Sequence, residues 1–70
     1  MATGTIGGRL CLERERLGLT QESLAKLGGV GRQSQWRFEE GSRSPDADYL
    51  AAVAKAGVDV LFVLGLSKRK

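Results

Sequence analysis

Seventy residues suffice for one small domain and leave little room for a substrate cleft of a few hundred cubic ångströms beside a core. The content of 41% hydrophobic and 27% charged residues argues against disorder, and no apolar run approaches the ~20 residues that cross a bilayer. With a net charge of +3, no histidine and one cysteine, Cys11, the chain lacks the commonest general base, the usual zinc ligand and any internal disulfide.

Met1 to Gly4 reads as part of a loose terminus, residues 1–5, ahead of a folded region 6–66 and a basic tail 67–70. Ile6, Leu10, Glu13/Arg14 and Leu17 recur at the spacing of an amphipathic helix, with Gly7 and Gly8 weakening its first turn. Gly18 suits a C-terminal cap, and Thr20 caps a second helix, Gln21 to Leu27, whose apolar face is Leu24, Ala25 and Leu27. Gly28-Gly29 ends it, and Gly31 caps a third helix from about Arg32 to Glu40 that stops at Gly41. Ser44 or Asp46 caps a fourth helix with Tyr49, Leu50, Val53 and Ala54 as its buried stripe, ended by Gly57. Val60, Phe62 and Val63 have strand propensity, yet no other segment reads as a strand to pair with them; a short helix capped by Asp59 is expected.

Helices two and three are short and joined by a tight glycine-bearing turn, the layout of a DNA-binding helix-turn-helix. Such a unit needs a small residue where the helices cross (Ala25), a glycine to reverse the chain (Gly29), and apolar residues to pin one helix on the other (Val30, Phe38). The run Leu-Gly-Leu-Thr-Gln-Glu-Ser-Leu-Ala at 17–25, then Gly29-Val30, Arg37-Phe38-Glu39-Glu40-Gly41 and Pro45, resembles the lambda-repressor-like, Cro/XRE-type transcriptional regulators over about residues 6 to 64.

The resemblance implies an all-α, five-helix domain that binds duplex DNA. It implies that Gln21 touches a phosphate at the helix-two N-terminus and that Arg32, Gln33 and Ser34 open the recognition helix facing the major groove. Arg37 joins that face and Arg43 reaches the DNA backbone. Arg14 and Glu39 match positions where the family pairs an Arg of helix one with the Glu of helix three. Three residues depart from the family pattern: Gln35 replaces an apolar residue, Gly28 stands for the common Leu, and Gly31 replaces Ser or Thr. Together these predict a slightly rotated helix three, with Trp36 taking part of the apolar duty.

Blander readings stand beside these. Arg32, Gln33 and Arg37 read also as a solvated helix face, Gln21 as an ordinary first-turn residue, Trp36 as a half-buried packing residue ahead of a base or sugar contact, and Cys11 as a small buried one. The function expected is a DNA-binding transcriptional regulator, a repressor on a pseudo-palindromic operator. The alternative is a protein–protein module, an antitoxin or anti-regulator, on the same fold. Double-stranded DNA and a second copy are the expected partners, with Phe62 and Leu66 as dimer contacts. No enzyme activity, metal, cofactor, membrane or small-molecule substrate is expected. The N-terminus shows no signal pattern, so a cytoplasmic location is expected. Residues 1–45 carry seven Arg and Lys against five Glu, residues 46–67 one Lys against three Asp, and Lys68-Arg69-Lys70 add the surplus. That tail reads equally as a DNA-steering or a solubilising element.

Overall fold

The computed structural model describes residues 4–66; the basic tail and residues 1–3 lie outside them. Five helices follow in order: α1 Ile6–Arg16, α2 Gln21–Gly28, α3 Arg32–Glu40, α4 Ala47–Lys55 and α5 Val60–Val63. There is no strand among the described residues, and none of their helices is long and apolar enough to cross a membrane.

Local chemistry sets the boundaries. A side-chain oxygen accepts an orphan amide at four helix starts: Thr5 from Gly8, Thr20 from Ser23, Asp46 from Tyr49 and Asp59 from Phe62. Thr5, assigned by the sequence to the loose terminus, is thus part of the α1 cap. Of Ser44 and Asp46, it is Asp46 that caps α4, at 2.8 Å from the Tyr49 amide. Gly31 begins α3 with no side-chain cap. Between α2 and α3 the chain turns at Gly29, whose φ of 74° is unstrained only without a Cβ, and Val30 N–H closes the turn on the Ala25 carbonyl at 2.9 Å.

Leu10, Leu24, Phe38, Tyr49, Val53, Val58 and Val63 form one core to which every helix contributes. Phe38 and Tyr49 meet edge-on with centroids 4.8 Å apart. Helix α3 packs on α1 and α2, α4 on α2, and α5 on α1 and α4. Two glycines permit close approach. A Cβ on Gly7 would strike the Phe38 and Glu39 carbonyls, and one on Gly28 would strike the Tyr49 ring. The Gly28 departure from the family pattern therefore has a cause: Tyr49 fills the space that a side chain at 28 would need.

Several sequence expectations are corrected. Leu27 is 49% exposed, because the inward line of α2 runs through Leu24, Ala25 and Gly28. Ala54 is exposed, leaving Tyr49 and Val53 as the buried residues of α4. Trp36 takes no apolar duty: it is 51% exposed, and Gln35 itself lies in the interior. The segment after Asp59 is helical, as expected, and polar ties help to hold it. Glu13, buried on α1, accepts from the Asp59 amide at 2.8 Å, and Arg9 donates to the Val63 carbonyl at 2.9 Å.

Candidate nucleic-acid interface

Helix α3 has two unlike faces. Gln35, Phe38 and Glu39 point inward and are buried; Arg32, Gln33, Trp36 and Arg37 are exposed. The helical period accounts for the grouping, since Trp36 lies three residues past Gln33 and four past Arg32, and Arg37 four past Gln33. Arg32 and Arg37 enter no salt bridge among the described residues, so both guanidinium groups face water.

The inward face is anchored by a polar cluster. Arg14 grips Glu39 in fork geometry, Nε to Oε2 at 2.8 Å and Nη2 to Oε1 at 3.1 Å, and Arg14 Nη1 donates to the Leu19 carbonyl at 2.9 Å. Gln35 Nε2 donates to Glu39 Oε2 at 2.7 Å, and Tyr49 O–H donates to Gln35 Oε1. Gln21 Nε2 donates to Glu39 Oε1 at 3.2 Å. One carboxylate thereby ties α1, α2 and α3 directly, and α4 through Gln35. No buried side-chain N or O atom among the described residues lacks a hydrogen bond, which is what a polar cluster in a core requires.

The electrostatics follow this geometry. Burial alone would push the Glu39 carboxyl up; the hydrogen bonds from Arg14, Gln35 and Gln21 outweigh it and hold the group below its ordinary range. Burial pushes the Tyr49 hydroxyl up to about 12 against the pull of its bond to Gln35. Burial, reinforced by nearby Glu39, also raises the Cys11 thiol, which disfavours its reactive thiolate.

Gln21, half-buried at the first position of α2, lines an open groove of about 430 Å³ together with Arg32, Gln33 and Trp36. A second hollow beside it is bounded by Arg14, Thr20, Gln21, Glu22 and Arg32. Of the residues singled out in the sequence, the structure therefore brings Gln21, Arg32 and Gln33 to one concave surface, with Arg37 on the same side of α3. Ser34 sits apart. It is half-buried, about 100° round the helix from Gln33, and its hydroxyl is 3.4 Å from Arg43 Nη1. Arg43 is exposed in the turn after α3, with its guanidinium carbon 5.7 Å from the centre of the Phe38 ring. Phe62 is half-buried, Leu66 is 69% exposed, and Leu61 and Leu64 are exposed near it.

Two participants escaped sequence reasoning, and a third, Trp36, reads in the sequence first as a packing residue and only second as a base or sugar contact. Gln35 and Tyr49 complete the anchor, and only the spacing of Gln35 to Glu39, one helical turn, hinted at it. Trp36 belongs to the groove, a place that its spacing from Arg32 and Gln33 already allowed.

No curated protein and no solved structure matches the chain. A family model described as a helix-turn-helix domain matches residues 5–59, which takes in α1 to α4 and the Asp59 cap. Two short helices joined at Gly29 fit that description, and the chain belongs to the helix-turn-helix domain family.

Proposed function

We propose that the chain is a sequence-specific regulator of transcription that binds duplex DNA through α3, in the lambda-repressor-like manner and as a repressor. The observation that carries this reading is the outer face of α3, where Arg32, Gln33 and Arg37 are exposed and both arginines enter no ion pair among the described residues, while the opposite face is locked to the core. A helix of this width fits the major groove, where Gln can bond adenine bidentately and Arg can bond guanine. Gln21 at the α2 N-terminus suits a phosphate, because the first amides of a helix favour an anion. Arg43, in the turn after α3 with its guanidinium reaching back to Ser34, serves the DNA backbone. Ser34 contributes at the edge of this surface through Arg43 rather than from its centre.

One recognition helix reads few base pairs. A dimer that sets two of them about 34 Å apart gains specificity on a pseudo-palindrome. The exposed Leu61, Leu64 and Leu66, with Phe62 behind them, support a contact between copies at the α5 end. In vitro selection from a random duplex library tests the whole reading: enrichment of one motif, lost with rising salt, supports it. Enrichment of nothing over random DNA overturns it in favour of a protein–protein module.

A further inference from the structure

Trp36 is the one large apolar side chain on the outer face of α3, and the core has no use for it. Its indole is 51% exposed, while the adjacent Gln35 is fully buried and supplied with partners on both sides. It shares its groove with Gln21, Arg32 and Gln33. An exposed indole at the centre of a polar recognition surface calls for an apolar counterpart. The edges of base pairs in the major groove offer one such group, the 5-methyl of thymine.

We propose that the Trp36 indole reads thymine, packing against its 5-methyl group beside the base that Gln33 contacts. This rests on the reading of α3 as the DNA-contacting helix. Charge favours DNA over a second copy of the chain as the occupant. Arg32 shares the groove with the indole and exposed Arg37 follows it in the chain, so a symmetric contact through this face would bring like charges together, whereas a phosphate-lined groove receives them. Of the acidic side chains near this surface, Glu22 lines the hollow beside the groove together with Arg32, and Glu40, one turn past Trp36, shares a further hollow with Trp36 and Gln21 on the side away from Arg32 and Gln33; neither lines the groove itself.

The test uses the full chain and the duplex it selects from a random library. Each thymine of that duplex is replaced in turn by deoxyuridine, which keeps every hydrogen-bonding group and removes only the methyl. The wild-type chain is expected to lose about fourfold in affinity at one position per half-site, the value of one buried methyl group. Trp36→Ala should bind more weakly and be indifferent to deoxyuridine at that position; Trp36→Phe should keep the discrimination. Circular dichroism of Trp36→Ala should match wild type, since the indole is outside the core. If a motif is selected but Trp36→Ala discriminates thymine from deoxyuridine as wild type does, the assignment to Trp36 fails while the DNA reading stands. If Trp36→Ala keeps full affinity for DNA and instead loses self-association in sedimentation, the indole is a contact between copies and the proposal is overturned. If no duplex is selected, both readings fall together.

Discussion

At the scale of single residues, Glu39 and Tyr49 carry the clearest consequences. Removing the Glu39 carboxylate leaves the Arg14 guanidinium in a largely buried site with its main partner gone, a loss of about 3–5 kcal/mol, comparable with the net stability of a domain this small. Glu39→Ala is therefore expected to be largely unfolded by circular dichroism at room temperature. The pH dependence has two limbs. Glu39 takes up a proton more readily in the unfolded chain than in the fold, so its stabilisation is complete above the ordinary carboxylate value of 4.5 and is lost as pH falls below it. Tyr49 acts at the other end. The unfolded chain ionises near 10 and the fold near 12, so stability falls as pH rises between those values. Urea midpoints across the pH range should trace both limbs. Tyr49→Phe should shrink the alkaline one to the part that the buried Cys11 thiol contributes, and cost about 1–3 kcal/mol, because Gln35 Oε1 is left without its donor. Gly28→Leu, which restores the residue common in the resembling family, should destabilise by about 1–3 kcal/mol or more through collision with the Tyr49 ring. A midpoint for Gly28→Leu equal to wild type would show that the ring can move aside.

At the scale of elements, α3 divides its work between two faces, and the division makes separable predictions. Gln33→Ala should relax preference at one base-pair position at a cost of about 1–3 kcal/mol, whereas Arg43→Ala should weaken all sequences alike and reduce the salt slope by about 1. Binding isotherms on single-base variants of the selected site distinguish the two; equal losses at every site for Gln33→Ala would place the readout elsewhere on the helix. The helices themselves were legible in the sequence because their limits are set locally. Thr20, Asp46 and Asp59 cap within their own segments, and Gly29 reverses the chain by its own backbone freedom. The rotation of α3 was not legible. Hydropathy places Gln35 outside and Trp36 inside, and the reverse holds because Glu39 and the Tyr49 hydroxyl, the second of them from α4, saturate the Gln35 amide. Leu27 escaped for a related reason, since the inward line of α2 runs through Gly28, a residue with no hydropathy to announce it.

For the whole molecule, the functional reading divides surface chemistry between two regions. Polar and basic groups cluster on the outer face of α3, while exposed leucines cluster about α5. If α5 joins two copies, sedimentation equilibrium should show a dimer at micromolar concentration. A Leu61→Lys, Leu66→Lys double variant should then be monomeric with an unchanged circular dichroism spectrum, because both side chains are already exposed. A wild-type monomer across that range would remove the dimer from the proposal. Phe62 is the poorer probe, being half-buried and so bound up with folding itself. The position of Trp36 has an optical consequence. It is the sole tryptophan of the chain and stands in water on the outer face of α3, while Tyr49 lies inside. Indole emission should therefore sit at long wavelength in the native state and shift little on unfolding. The same emission should respond strongly when a ligand covers that face. The molecule thus carries a built-in fluorophore that registers occupancy rather than folding, and unfolding is better followed through the tyrosine.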